Sequence, residues 1–135
     1  MSIRAATAAD REATVALGEA AGLTRPWNEP RGDFDLALAT ATSAILLAED
    51  DTALVGSVMV GFDGHRGWVY YLASAPDRRG QGIGRTLMIA AEDWLKALGS
   101  PKIQLMVRCD NTVARGFYGA LDYDLQDVVV IGRRF

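Results

Sequence analysis

Residues 78–86 read Arg-Arg-Gly-Gln-Gly-Ile-Gly-Arg-Thr, and apolar segments flank this glycine-rich stretch on both sides. The segment before it, residues 68–73, is apolar and rich in aromatic side chains, which predicts a strand. After it, apolar side chains recur at spacings of three and four from Ile83 to Leu98, which predicts an amphipathic helix. A strand, a glycine-rich turn and a helix in this order are suited to binding a phosphate.

The physical reasons for an anion site lie in the backbone of this stretch. Glycine has no Cβ atom, so the chain can approach an anion closely. The N–H groups of a first helical turn have no partner within the helix, and the helix dipole favours negative charge there. Arg79 and Arg85 can add charge-assisted hydrogen bonds to the same anion.

The spacing of the glycines discriminates between known phosphate loops. A dinucleotide-binding loop, Gly-x-Gly-x-x-Gly, needs a third glycine where this chain has Arg85 or Leu87, and the Gly-Lys-Ser/Thr triplet of a P-loop does not occur. The pattern that fits is Gln/Arg-x-x-Gly-x-Gly/Ala, met by Arg79, Gly82 and Gly84. This pattern resembles the pyrophosphate loop of the GNAT acetyltransferases, the family that binds acetyl-coenzyme A (acetyl-CoA).

A second motif supports the resemblance. Asn111-x-x-Ala114-x-x-x-Tyr118 is similar to a later helix of the GNAT family. One departure follows, because Asp122 stands before Tyr123 where the family usually has a glycine in a left-handed conformation. Four further stretches resemble small bacterial GNAT proteins of the YpeA type, namely residues 25–30, 63–67, 70–72 and 101–104. The resemblance therefore covers nearly the whole chain.

Composition narrows the remaining possibilities. The 135 residues are expected to form a single domain, with 50% hydrophobic and 23% charged residues as in ordinary globular proteins. The net charge of −3 gives no reason to expect nucleic acid as a partner. Cys109 is the only cysteine, which excludes an intrachain disulfide and suggests a small buried residue. Neither a signal peptide nor an apolar run of roughly 18 residues is evident, so we expect a cytoplasmic protein without a membrane partner.

The order of predicted elements is β-α-α-β-β-β-α-β-α-β. This order, with a meander followed by a βαβα half, implies an α/β fold with a mixed sheet and helices on both faces, as in the GNAT fold. We predict strands at residues 3–6, 43–49, 53–62, 68–73, 102–108 and 128–131, and helices from Thr7 to Gly22, over 34–41, from Ile83 to Gly99 and from Asn111 onward.

The resemblance implies a set of residues that bind acetyl-CoA, and no metal. In the family, the strand before the glycine loop splays from the next strand, and one freed amide polarises the thioester oxygen. By this resemblance Leu72 is the expected amide donor and hence a catalytic residue. The expected cofactor-binding residues are Leu72, Ala73, Ser74, Arg79, Gly80, Gln81, Gly82, Ile83, Gly84, Arg85, Thr86 and Asn111.

The resemblance implies that Tyr118 is the general acid, and a phenol is suited to this role because it is protonated at neutral pH and can give its proton to a departing thiolate. The alternative is that Phe117, Tyr118 and Leu121 simply form the apolar face of a helix. Asn111 has two possible roles as well, because a helix cap would account for it without any contact to the cofactor.

The acceptor side is less defined by the sequence. Trp27 is either a lid over the core or a wall of the acceptor site, and Tyr70 or its neighbour could face the acceptor. His65 is the only histidine, but its place in a turn favours a solvated surface position over a general base. Other candidates for the base are Asp63, Glu29, Asp33 or a chain of water molecules.

These features predict a bacterial N-acetyltransferase that transfers acetyl directly from acetyl-CoA to a primary amine of a small or amino-acid-like acceptor. A protein or peptide N-acetyltransferase acting on an α-amino group or a lysine is the alternative within enzymes. A non-catalytic acyl-CoA binding module is the alternative from another class, and the presence of Tyr118 argues against it. Homodimers are common among small GNAT domains, so a homodimer is possible.

Overall fold

The computed structural model describes residues 1–135 and divides into two compact units, Met1–Leu105 and Met106–Phe135. The first unit contains the sheet and three of the helices. The second unit contains one helix and the carboxyl-terminal segment. The elements are β1 Ser2–Ala5, α1 Arg11–Ala20, α2 Pro30–Ala39, β2 Ser43–Glu49, β3 Leu54–Phe62, β4 Gly67–Ser74, α3 Ile83–Ala97, β5 Ile103–Gln104 and α4 Thr112–Ala120.

The sheet of the first unit follows the order of the chain, β1-β2-β3-β4-β5. The first four strands form an antiparallel meander, and β5 pairs with β4 in parallel after the crossover through α3. The predicted mixed α/β sheet is confirmed. The turn predicted at residues 63–67 is also present, closed by a 3.2 Å bond from the Asp63 amide to the Arg66 carbonyl.

Helices cover both faces of this sheet. On one face, Ile45 and Leu47 of β2 pack with Phe34 and Ala37 of α2 in a buried cluster. The other face lies beneath α3, whose buried side chains are apolar and recur at helical spacing. The buried residues of α3 are Ile83, Leu87, Met88, Ala91 and Leu95.

Two glycines let α3 lie close to the sheet. A Cβ atom on Gly56 of β3 would come within 2.5 Å of the Ile83 side chain and 2.8 Å of Leu87. A Cβ atom on Gly67 of β4 would come within 2.5 Å of the Leu95 side chain. Since Ile83 opens α3 and Leu95 lies near its end, both ends of the helix rest where the sheet carries no side chain.

The structure corrects several predicted boundaries in the first unit. The second helix begins at Pro30, within the predicted loop, because proline is well accommodated in a first helical turn where its missing N–H is not needed. The predicted strand 102–108 is paired only at Ile103–Gln104.

The second unit differs most from the sequence prediction. The strand predicted at residues 128–131 is wrong, since this segment has no strand partner and its side chains are 70–92% exposed. A run of valine and isoleucine favours a strand, but a strand also needs a neighbour to accept its hydrogen bonds. Cys109 is exposed and not buried as expected.

The turn after α4 agrees with the sequence prediction. Asp122 has a φ of 66°, so it occupies the left-handed position that the family gives to glycine. The Tyr123 amide then returns to the Tyr118 carbonyl at 3.0 Å. In the chain as a whole, no helix has both the length and the apolar character that a membrane span requires.

The contact beneath α3 can be tested by adding one methyl group. We expect Gly56→Ala to lower the free energy of unfolding by about 1–3 kcal/mol, because the new Cβ atom overlaps Ile83 and Leu87. Gly18→Ala is the matched control, since Gly18 lies in α1 with no atom within 4 Å of an added Cβ. It should raise the free energy of unfolding by about 0.5–1 kcal/mol. Urea denaturation measures both, and equal effects would contradict the packing argument.

Candidate active site

The glycine loop forms a helix start with exposed amides. Gly80 and Gly82 have φ values of 81° and 77°, a conformation that favours glycine, and Gly82 caps α3. The first helical bond runs from the Thr86 amide to the Gly82 carbonyl at 3.0 Å. The three preceding amides therefore have no partner within the helix. They belong to Ile83, Gly84 and Arg85.

The arginines of this loop divide into two groups. Arg78 forms an ion pair with Asp50, so it has a structural partner. The pKa of Asp50 is lowered, first by the hydrogen bond from the Thr52 amide and less by Arg78. Arg79 and Arg85 are exposed and have no carboxylate partner. Arg79 and Arg85 are therefore available to the anion site that the sequence predicts, and their contact with an anion stays a prediction.

A β-bulge interrupts β4 where the strand approaches the loop. Ser57 pairs with Ala73 and Met59 pairs with Tyr70, so two residues of β4 lie opposite the single Val58 of β3. These two residues are Tyr71 and Leu72. The extra residue changes the direction of the amides that follow it.

The hydrogen bonds on either side of the bulge fix those directions. The Ala75 amide donates to the Val55 carbonyl of β3 at 2.8 Å. Amide directions alternate along a strand, so the Ala73 amide also faces β3 and those of Leu72 and Ser74 face the opposite edge. The amides of Leu72 and Ser74 thus point to the open edge and that of Ala73 does not, and contact of these three residues with a cofactor stays a prediction.

The edge that these amides face is open in the first unit. β5 pairs with β4 only at Gly67 and Trp68, the beginning of the strand. From Val69 to Ser74 no strand pairs with this edge of β4. β5 ends at Gln104, so the edge of β4 is unpaired up to the glycine loop, which lies directly after β4 in the chain.

Tyr71 has an unusual backbone conformation for an aromatic residue. Its φ is 54°, in the left-handed region, where a residue with a bulky side chain costs about 1–3 kcal/mol. The surrounding contacts must compensate for this cost. The Tyr71 hydroxyl donates a 2.6 Å hydrogen bond to Oδ2 of Asp33 in the first turn of α2. Burial, and next this bond, raise the pKa of Tyr71 well above its ordinary value.

A small cavity of about 40 Å³ adjoins Tyr71 on the face covered by α1 and α2. Its walls are mostly apolar, and side chains from both helices and from β3 contribute to them. Prominent lining residues are Val15, Leu23, Phe34, Ile45 and Met59.

The residues predicted for the acceptor side lie mainly on the surface. Trp27 is 48% and Tyr70 is 41% exposed, and His65 lies in the exposed turn between β3 and β4. Asp63 accepts hydrogen bonds from the amides of His65 and Arg66. These bonds lower the pKa of Asp63, with the Arg66 amide the largest contributor, so Asp63 is a weak base.

In the second unit, Tyr118 is half-buried and contacts two aromatic rings. The ring centroids of Phe117 and Tyr123 lie 4.9 Å and 5.7 Å from that of Tyr118. Burial raises the pKa of Tyr118 to about 12. Asn111 caps α4, since its side chain accepts a 3.1 Å hydrogen bond from the Ala114 amide. The cap accounts for Asn111 structurally, and contact with a cofactor stays a prediction.

Sequence comparison determines the family. The model of the Acetyltransferase (GNAT) family matches residues 14–123. The chain belongs to the GNAT acetyltransferase family. It is 44% identical over 134 residues to an acetyltransferase of Yersinia enterocolitica, covering 99% of this chain and 95% of that relative. An acetyltransferase of Pectobacterium atrosepticum is 45% identical over 134 residues, with the same coverage.

Solved structures have the same GNAT fold at low sequence identity. The aminoglycoside acetyltransferase AAC(6')-Iy, in complex with a bisubstrate analogue of CoA and acetylneamine, has a TM-score of 0.84 and 17% identity, covering 99% of this chain and 97% of its own. Glucosamine-6-phosphate N-acetyltransferase from Arabidopsis thaliana has a TM-score of 0.75 and 18% identity, and the match covers 98% of this chain and 97% of that protein. The predicted GNAT fold is confirmed.

The residues of this GNAT acetyltransferase fit acetyl-CoA as its cosubstrate. Three free amides, two left-handed glycines and two unpaired arginines suit a pyrophosphate, and the open edge of β4 suits an arm with its own amides. No group of three or more His, Cys, Asp or Glu residues could hold a metal ion. The protein is an acetyl-CoA-dependent N-acetyltransferase.

A substitution in the glycine loop separates anion binding from backbone strain. We expect Gly82→Val to weaken acetyl-CoA binding at least about tenfold, because a side chain blocks the approach to the helix amides. Gly99→Val is the matched control, since Gly99 follows α3 with a φ of 84° and has equally open surroundings. Gly99→Val should lower the free energy of unfolding by a similar amount and leave the affinity for acetyl-CoA unchanged. Calorimetric titration measures both, and equal affinities would exclude the loop from the site.

Proposed function

We propose that this acetyltransferase transfers an acetyl group directly to the primary amine of a small or amino-acid-like acceptor. The observation that carries the proposal is the open edge of β4, where the bulge turns the Leu72 amide away from β3. An outward amide at this place can hydrogen-bond the thioester oxygen and stabilise the negative charge that develops on it. Residues 1–135 would act as one catalytic domain in the cytoplasm.

Each part of the proposed site has one physical task. The amides of residues 83–85, with Arg79 and Arg85, bind the pyrophosphate, and Gly80 and Gly82 allow the close approach. The outward amides of Leu72 and Ser74 orient the arm that carries the acetyl group. Bound acetyl-CoA supplies the acetyl thioester, and the chain supplies positioning and hydrogen bonds.

Tyr118 is proposed as the acid that assists the leaving thiolate. Its pKa of about 12 keeps the phenol protonated throughout the neutral range, so the donor is always present. A thiol has an ordinary pKa of about 8.5, so complete proton transfer from Tyr118 is uphill. The pKa values of Tyr118 and of the thiol are consistent with a phenol that stays protonated and donates a hydrogen bond to the sulfur as the carbon–sulfur bond breaks.

The cavity near Tyr71 supports a small acceptor. It measures about 40 Å³ and is mostly apolar, with Asp33 bonded to Tyr71 on its border. Its apolar walls suit the apolar part of a small acceptor. Two similar folds belong to enzymes of amino sugars, an aminoglycoside acetyltransferase and glucosamine-6-phosphate N-acetyltransferase. The homodimer expected for a small GNAT domain stays a prediction.

A thiol-release assay with acetyl-CoA and three acceptor sets tests the proposal. The sets are amino acids and short alkyl amines, amino sugars including neamine, and peptides with a free α-amino group or a lysine. We expect turnover with a member of the first two sets and not with peptides. Turnover with peptides alone would replace the small acceptor by a protein. Tight acetyl-CoA binding without turnover in any set would favour a binding module.

Tyr118→Phe tests the proposed acid. We expect kcat to fall by about 10²-fold while acetyl-CoA affinity is retained, because only the hydroxyl is removed. Tyr123→Phe is the matched control, since its ring also contacts Tyr118. In the wild type, ionisation of Tyr118 should not reduce kcat until the pH approaches its pKa of about 12. An unchanged kcat in Tyr118→Phe would assign Tyr118 to packing alone.

A further inference from the structure

The bulge in β4 has a tether that the sequence motifs did not indicate. The tether is the 2.6 Å hydrogen bond from the Tyr71 hydroxyl to Oδ2 of Asp33, which joins residues 38 positions apart. One end lies on the bulge itself and the other in the first turn of α2. Short bonds from a hydroxyl to a carboxylate are among the stronger hydrogen bonds in proteins.

Asp33 is itself held in place by α2. Its amide donates to the Glu29 carbonyl at 2.8 Å, the first backbone bond of that helix. A carboxylate in a first helical turn is also favoured by the helix dipole. The next residue, Phe34, is buried in the cluster with Ile45 and Leu47 of β2. The accepting end of the tether is therefore anchored in the core.

The bulge depends on such an anchor because its backbone is unfavourable for tyrosine. A left-handed φ of 54° has no local support from a glycine or an asparagine side chain. The simplest relaxation would return Tyr71 to an extended conformation. That change would remove the extra residue from its place opposite Val58 and turn the Leu72 amide to another direction.

We propose that Asp33 and Tyr71 are positioning residues that hold the β4 bulge, so that the Leu72 amide points at the thioester oxygen. Neither side chain touches the reacting atoms in this role. The inference rests on the function proposed for Leu72. In this role, the hydrogen bond between Tyr71 and Asp33 links helix α2 to the bulge that carries the Leu72 amide.

The test follows the Leu72 amide by NMR of ¹⁵N-labelled protein saturated with acetyl-CoA or with CoA. The two ligands differ in the acetyl carbonyl, so a shift difference at Leu72 reports a hydrogen bond to that oxygen. We expect a clear difference in the wild type and its loss in Tyr71→Phe and in Asp33→Ala. Asp33→Asn keeps an acceptor oxygen and should restore most of the difference.

Further measurements separate positioning from general stability. Asp35→Asn lies on the same helix, breaks only an exposed ion pair with Arg11, and should behave as the wild type. The affinity for CoA, which lacks the acetyl carbonyl, should be unchanged in Tyr71→Phe, because the pyrophosphate loop is untouched. With the amine that gives the highest wild-type turnover, kcat should fall about tenfold or more. The double variant Tyr71→Phe/Asp33→Ala should be no slower than its slower single variant.

The outcomes are distinct for the two proposals. A wild type with no shift difference at Leu72 would remove the role proposed for this amide, and the positioning role with it. A wild-type difference that persists fully in both Tyr71→Phe and Asp33→Ala would overturn the positioning role alone. A fall in melting temperature without loss of the Leu72 signal would likewise reduce the pair to a packing contact.

Discussion

One extra residue in β4 is the constraint on which the site depends. The bulge opposite Val58 makes Leu72, and not its neighbour, present an amide to the open edge. Without the bulge, the direction of the backbone amides would alternate without interruption from Gly67 to Ala75. The Gly67 amide donates to the Lys102 carbonyl, on the side away from β3. The same irregularity places Tyr71 beside the cavity beneath α1 and α2. Backbone geometry thus connects the open edge of β4 with the pocket on the face covered by α1 and α2.

The elements nearest the glycine loop could be predicted because their signals are local. The apolar run of β4 and the spacing along α3 each lie within one element, and Gly80 and Gly82 mark the turn between them. The left-handed position of Asp122 could also be inferred from the family pattern. These features need no knowledge of distant neighbours.

Other features could not be predicted because they depend on partners far along the chain. The sequence around Tyr71 does not indicate a left-handed conformation, because the hydrogen bond that supports it is accepted by the distant Asp33. The run at 128–131 has strong strand propensity but no neighbour, and the role of Arg78 depends on Asp50. The sequence makes Asp33 a candidate base, whereas the structure gives its carboxylate a hydrogen bond from the Tyr71 hydroxyl.

The close packing of α3 against Gly56 and Gly67 has a consequence for ligand affinity. Because both ends of the helix contact the sheet directly, its first-turn amides are carried by the core and not by a mobile loop. Binding of a ligand to these amides therefore costs little conformational entropy in the helix. Most of the conformational entropy lost on binding comes from the short glycine turn before Ile83. The proposed pyrophosphate site would therefore be formed during folding, because Gly56 and Gly67 beneath the helix carry no side chains.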